Sequence, residues 1–410
     1  MTAPRQSIPA TTSAEYTADV DPMDMLADPP AALARLRAQS PVVYVPAMRS
    51  WWVTGHAEVL DALSRPGEFG SRMLDHITYL SGRNVLVDDG EHHRRYRRAM
   101  APTLKPAAIG RHTARIIAPV VAEAIAALRD RGAADLVADF WEPVAVRCFA
   151  GLLGANDLGE ATLRRWYHSL ALGAANFMHD EGTAEQARAT SEEIDATLLP
   201  RMRELEEHPD NGLVAHLLAM AAGATLEERA ADILPTIKIL IGAGEQEPGH
   251  AGSSVLAGIL TAPDVRSRLL NDPDDGLGDA IEEGLRWCPP VQAISRYTAV
   301  DTTLGGVSIA ADQWVNLSLQ GANHDPAVFG ADAAHFRPDR DLTGRFAPLA
   351  FGGGLHMCAG ASFGRAVIRA GLLGLLRELP DLALDPARPW SFTGFGFRAP
   401  GALWSTWRVV

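Results

Sequence analysis

The stretch Phe351-Gly352-Gly353-Gly354-Leu355-His356-Met357-Cys358-Ala359-Gly360 constrains this chain more than any other. Three consecutive glycines remove the Cβ atoms from one side of a loop, so the backbone can lie close against a flat ligand. Backbone N–H groups aimed at a cysteine sulfur stabilise its negative charge, and the thiolate is the form that ligates a metal. Gly360 lets a following helix begin hard against the same ligand. The plainer alternative is a glycine-rich turn ahead of a buried structural cysteine, because free cysteine is among the most buried residue types. Cys358 alone favours that alternative. The full spacing Phe-x-x-Gly-x-x-x-Cys-x-Gly is far more restrictive.

Two further segments belong with it. Glu283-Gly284-Leu285-Arg286 sets an acid and a base three apart on one helical face, where they can pair. Asn323-His324-Asp325-Pro326 and Phe336-Arg337-Pro338-Asp339-Arg340 follow before the cysteine loop. On its own, Glu-x-x-Arg is usually a solvated salt bridge of small worth. In this order and spacing the segments resemble those of the cytochrome P-450 family, with the cysteine loop as its haem-binding signature. The resemblance implies haem b as cofactor, Cys358 as the iron ligand, and Phe351 and Gly352 beside it. It also implies a buried cluster of Glu283, Arg286 and Arg340. The fold it implies is mainly α with small β-sheets, a triangular α-rich domain enclosing the haem.

Composition sets the outer bounds. The 410 residues carry no Ser/Gly linker, low-complexity block or repeat, which favours one domain over 1–410, with residues 1–22 as a loose arm. A formal net charge of -13 argues against nucleic-acid binding. Cys148, Cys288 and Cys358 are too few for a disulfide framework and suit a reducing cytoplasm. The polar start and the lack of any long apolar run argue against a signal peptide or membrane span.

Asp28-Pro29-Pro30 reads as the capped start of a short helix over Ala31 to Ala38. Val42 to Val45 and Trp51 to Thr54 read as a hairpin. After a loop near Ser71 to Asn84, amphipathic helices are expected at 107–130, 143–153, 160–175, 184–205 and 211–222. A very long one follows at about 230–262, which by resemblance crosses the fold over the haem. Strand signals return at 291–299, at 303–309 and near the C-terminus.

The haem propionates need cationic or hydrogen-bonding partners. Asp89 to Arg97 matches the family's His-x-x-x-Arg segment, with His93 and Arg97 one helical turn apart. Arg296 and His356 are the other propionate candidates. Arg94, Arg95 and Arg98 read as a basic helix start, or as a docking face for an acidic electron donor.

The chain departs from the family midway along the long helix, where most monooxygenases carry an acid followed by threonine as a proton relay. Here the sequence runs Ile241-Gly242-Ala243-Gly244-Glu245-Gln246-Glu247-Pro248-Gly249-His250. One register puts Glu247 and Pro248 at those positions, another Gln246 and Glu247; neither supplies the alcohol. Pro248 removes a backbone donor and is expected to open the helix nearby. Gln246 and Glu247 are therefore the candidate catalytic pair, and direct use of hydrogen peroxide is the corollary. Pairing of Glu247 with a surface arginine is the plainer alternative.

The same departure, with Glu142-Pro143-Val144 and Gly394-Phe395-Gly396-Phe397-Arg398, resembles bacterial O-demethylases of guaiacol-type phenols. By that resemblance a small aromatic substrate contacts Leu80, Ala174, Ile239, Ala243, Gly244, Val291, Ile294 and Phe397. The small residues around Ala174 favour syringol over guaiacol. Hydroxylation of an O-methyl group would give a hemiacetal that collapses to formaldehyde and a catechol-type phenol. Electrons would come from a flavin and iron–sulfur reductase or a ferredoxin. Phenol coupling and a non-catalytic haem sensor stay open as other readings.

Overall fold

Asp28 and the prolines behind it start a helix as their chemistry dictates. In Pro29–Gln39 the Asp28 carboxylate accepts from the Ala31 N–H at 3.3 Å, and proline costs nothing in a first turn whose N–H groups have no intrahelical partner. The β-branched and aromatic run that follows forms the antiparallel pair Val42–Val45 and Ser50–Val53, with Tyr44 opposite Trp51. The computed structural model describes residues 14–71, 82–174, 176, 180–344 and 347–409. It has the mainly helical architecture with small sheets that was expected. The chain packs as two compact units. One comprises Met1–Leu74, Ser253–Cys358 and Trp390–Gly401; the other comprises Asp75–Gly252, Ala359–Pro389 and Ala402–Val410.

The first unit is built on a five-stranded sheet in the order Val42–Val45, Ser50–Val53, Trp314–Ser318, Ala293–Thr298, Phe69–Gly70. Trp314–Ser318, at its centre, has no counterpart in the sequence reading. Gly305 and Gly306, both at positive φ, close the hairpin of Thr302–Leu304 and Val307–Ile309, a two-residue turn whose twist suits antiparallel strands. Of the arm expected over residues 1–22, the first thirteen lie outside the described residues. Beyond them the chain is tied down: Thr17 bridges Tyr44, and the Ala18 N–H donates to the Tyr44 carbonyl at 2.9 Å.

The second unit is helical. Its helices include Gly90–Leu104, Ala118–Leu128, Glu142–Leu153, Glu160–Ala174, Glu181–Glu207, Leu213–Met220, Leu226–Gly244 and Ala361–Glu378. Five-residue π turns at Thr113–Ile117 and Val137–Trp141 lead into two of these. Trp141 is fully buried, and three glycines close around it. A Cβ on Gly252 or Gly371 would lie 2.3 or 2.6 Å from its ring, and one on Gly249 would lie 2.8 Å from its carbonyl oxygen. The contacts at Gly249 and Gly252 set the helix Glu247–Thr261 against Trp141 and the start of Glu142–Leu153, and so position the side chains discussed below. Among the described residues no helix is long and apolar enough to cross a membrane.

Candidate functional site

The cysteine loop is shaped by its glycines. Gly352 and Gly354 adopt φ of +65° and +63°, values that strain any residue with a Cβ. A Cβ on Gly354 would also collide with the Leu63 carbonyl oxygen, and one on Gly352 would lie 3.8 Å from Ile294 Cδ1. The Cys358 N–H donates to the Phe351 carbonyl at 2.9 Å, closing the loop. That N–H therefore serves to close the loop. Cys358 is the exposed cysteine, flanked by the exposed apolar residues Leu355 and Met357. Burial pushes the Cys148 and Cys288 thiols up to about 12, so both stay protonated at neutral pH. A single accessible thiol in an apolar, glycine-thinned loop fits one face of a flat, hydrophobic macrocycle with a thiolate-seeking iron.

Behind the loop, Glu283 and Arg286 are buried and paired twice, Nε to Oε2 at 2.7 Å and an η nitrogen to Oε1 at 2.8 Å. Arg340 Nε donates to Glu283 Oε1 at 3.2 Å. The remaining Arg286 donors reach the carbonyls of Asn323, Ala333 and His335 at 2.7, 2.6 and 2.9 Å. Asn323 Oδ1 in turn accepts from the Leu349 N–H at 2.9 Å, where the cysteine loop begins. The cluster is thus a fully hydrogen-bonded support for that loop, in contrast to an ordinary surface Glu-x-x-Arg pair.

Arg296 is buried on Ala293–Thr298 and donates to the Ser295 carbonyl at 2.8 Å. His356 ends the 3-10 turn Gly354–His356. Val291 pairs with Phe397 across an isolated bridge, and Ile294 packs on the sheet core. In the second unit His93 is buried and Arg97 half-buried on the same face of Gly90–Leu104. Arg95 does not belong to a free basic face: it grips Asp232 at 2.6 and 2.8 Å, and the Tyr96 hydroxyl donates to the Asp232 carbonyl. Arg94 and Arg98 are exposed and paired with Glu91. Ala174 closes Glu160–Ala174, while Ile239, Ala243 and Gly244 lie on Leu226–Gly244. Leu80 lies outside the described residues.

The expected long helix is broken. It ends at Gly244 and resumes at Glu247, with the Gln246 carbonyl accepting the first bond of the new helix from the His250 N–H at 3.0 Å. The opening precedes Pro248, because proline at the second helical position removes an N–H that has no intrahelical partner anyway. The Gln246 amide donates to Glu142 Oε1 at 3.0 Å. Arg164 and His168 reach the same carboxylate at 2.5 and 3.3 Å. These partners outweigh the desolvation that opposes them and hold the Glu142 carboxyl down at about 2.

Glu245 and Glu247 differ sharply from Glu142. Their carboxyl oxygens are buried and make no hydrogen bond of good geometry among the described residues. Burial first, then the charges of Glu247 and Glu142, push the Glu245 carboxyl up to about 9. Burial lifts Glu247 to about 7, against the pull of its local amides and of the Tyr167 hydroxyl. That hydroxyl acts on the carboxyl from just outside strict hydrogen-bond geometry. His250, pushed down to about 4 by burial, is neutral, and its ring stands edge-on to Tyr167 at 6.5 Å. Glu247 thus has no arginine partner among the described residues; the arginine belongs to Glu142.

Sequence reading missed Glu245, Tyr167 and the Arg164–His168 pair. The signal was present in Arg164, Tyr167 and His168, polar or amphipathic residues at i, i+3 and i+4 on one helix face.

The cytochrome P450 family profile matches residues 185–380. The chain is 27% identical over 389 residues to pulcherriminic acid synthase of Bacillus subtilis, covering 92% of this chain and 94% of that protein. It is 29% identical over 353 residues to cytochrome P450 130 of Mycobacterium tuberculosis, covering 80% and 84%. The crystal structure of CalO2 superposes with a TM-score of 0.85 at 24% identity, over 95% of this chain and 99% of that one. The cysteine loop, the profile match over residues 185–380 and these relatives make this chain similar to haem-binding proteins of the cytochrome P450 family, whose fold it shares.

Proposed function

We propose that this cytochrome P450 O-demethylates small methoxylated phenols, syringol (2,6-dimethoxyphenol) ahead of guaiacol, and can draw on hydrogen peroxide as oxidant. The observation that carries the reading is the break at Glu245-Gln246. It replaces the family's alcohol by a buried carboxyl, Glu247, poised to titrate near neutrality. An acid with a pKa close to the working pH is a competent proton donor and acceptor. Peroxide, unlike dioxygen, arrives already reduced and needs one such group to move its proton from one oxygen to the other.

In this reading Cys358 ligates the haem iron, and His93, Arg97, Arg296 and His356 hold the propionates. Haem, when bound, supplies the oxidising power. The protein aims one O-methyl group and excludes the rest of the ring from reaction. The half-buried apolar residues Ile239, Val291, Ile294 and Phe397 suit an aromatic guest. The small side chain of Ala174 leaves room for a second ortho methoxy group. Overall, ArOCH3 and H2O2 give ArOH, CH2O and H2O; with dioxygen, two electrons and two protons are consumed as well, delivered by a separate reductase.

The test is formaldehyde release from haem-loaded protein given syringol or guaiacol with hydrogen peroxide. Formaldehyde and the matching catechol-type phenol, faster from syringol, are expected. Coupled phenol dimers without formaldehyde would replace this reading by phenol coupling. No product with peroxide or with a reductase would overturn it in favour of a binding protein.

A further inference from the structure

We infer that Glu142 is a positioning residue for the break in the long helix, fixing its geometry through Gln246 and its charge through Glu245. The inference does not depend on which substrate is oxidised.

The geometry is specific. Glu142 opens the helix Glu142–Leu153, whose preceding residue Trp141 packs against Gly249 and Gly252 of the resumed helix. The carboxylate is therefore held at the level of the break. Its Oε1 accepts from Gln246 at 3.0 Å, so the side chain of one of the two candidate catalytic residues is tethered away from free rotation. Arg164 on Oε2 and His168 on Oε1 complete its shell. With Arg164 beside it, Glu142 remains an anion. Tyr167, from the same helix as Arg164 and His168, faces Glu247, and neutral His250 stands behind Tyr167.

Glu142, held by Gln246 and paired with Arg164, thus meets the break whose flanking residues Glu245 and Glu247 have buried carboxyl oxygens, so three carboxyls share one region with one arginine among the groups named here. Like charges in a poorly solvated site cannot all be present together. Because Glu142 owns the arginine and the hydrogen bonds, it takes the negative charge, and Glu245 keeps its proton. Glu245 is then a neutral acid lodged two residues from Glu247, a store from which the break can be re-protonated. Glu142 acts through these neighbours and need touch neither substrate nor cofactor.

Infrared difference titration of the haem-loaded protein reads this directly through the C=O stretch of a protonated carboxyl. Glu245→Gln identifies the Glu245 band by deleting it. Glu142→Gln keeps the shape but removes the charge, and should lower the midpoint of that band by about one pH unit. Arg164→Gln removes the cation from a partly exposed position and should move the midpoint up. Opposite shifts establish the role, since a purely structural disturbance has no reason to follow the sign of the deleted charge. Midpoints that stay in place, or move the same way in both variants, would overturn it. If Glu142→Gln did not fold, the Arg164→Gln titration would decide by the same criterion. No step of the measurement involves turnover, so failure of the methoxyphenol reading would leave its result intact.

Discussion

Glu283 and Glu247 are both buried carboxyls on helices, yet the protein treats them oppositely. Glu283 accepts from Arg286 Nε and an Arg286 η nitrogen, from Arg340 Nε and from the Arg337 N–H. Glu247 has no hydrogen bond of good geometry among the described residues. Buried charge is tolerated when it is paired and fully hydrogen-bonded, and is otherwise expelled as a shifted pKa. The first arrangement makes a rigid support. The second makes a group whose proton is mobile near pH 7. The contrast is between a carboxyl that holds a structure together and one that, in the function proposed above, moves a proton.

The comparison breaks first at Glu283. Glu283→Gln leaves Arg286 and Arg340 buried beside an amide that cannot neutralise them. Removing one partner of a buried pair costs about 3–5 kcal/mol. Urea denaturation of the haem-loaded variant should show that loss, with haem retention falling alongside. A loss below about 1 kcal/mol would mean that the cluster is no more than a surface pair in disguise.

Glu247→Gln should do the reverse. The fold and the thiolate-type absorption band of the reduced CO complex should survive, because no hydrogen bond of good geometry is removed. Peroxide-driven product formation should fall about 10²-fold, the usual share of a positioned acid–base group. Unchanged peroxide turnover would strip Glu247 of its proposed role and leave it an accident of packing.

Glu245 sharpens the contrast through pH. Its carboxyl lies near 4.5 in the unfolded chain and is pushed up to about 9 in the fold. Between those values the folded state binds the additional proton, so stability declines as pH rises through that window. Glu245→Gln carries no such proton. Its stability should exceed that of the parent by on the order of a few kcal/mol near pH 8, with the gain fading toward pH 5. Chemical denaturation at a series of pH values checks the slope, and parallel curves for the two proteins would refute it.

How legible this was in the sequence differed along the same line. The cysteine loop could be read because glycine and cysteine chemistry is local, and Gly352, Gly354 and Cys358 sit within seven residues. The Glu283–Arg286 pair could be read from helical spacing, but its burial and the part of Arg340 needed the family resemblance. The opening of the helix near Pro248 could be read from the proline, but its place at Glu245-Gln246 could not. There the Gln246 amide meets Glu142, 104 residues earlier in sequence, and Gly249 and Gly252 pack against Trp141. The central strand Trp314–Ser318 went unread because a five-residue Trp-Val-Asn-Leu-Ser run carries too little alternation to announce itself. Nor does any local pattern mark the π turns, or the meeting of Tyr167 with Glu247. Supporting parts built from neighbours in sequence were visible; the mobile-proton region, assembled from three separate helices, was not.

Asn323 offers the smallest and most local test, on the link between the rigid cluster and the cysteine loop. Its backbone carbonyl accepts from Arg286 while its side-chain oxygen accepts from the Leu349 N–H. Asn323→Ala keeps the first bond and deletes the second, leaving a buried N–H without its acceptor. Such a loss costs about 1–3 kcal/mol. Because Leu349–Phe351 also carries the carbonyl that closes on the Cys358 N–H, the strain should reach the thiolate. The reduced CO complex should then show a smaller thiolate-type band at equal haem content. Asn323→Asp, which retains an acceptor at the same place, should restore most of that band. If Asn323→Ala lost stability but kept the full band, the cluster would support the fold without governing the loop, and the two buried regions would differ in hydrogen bonding but not in what they serve.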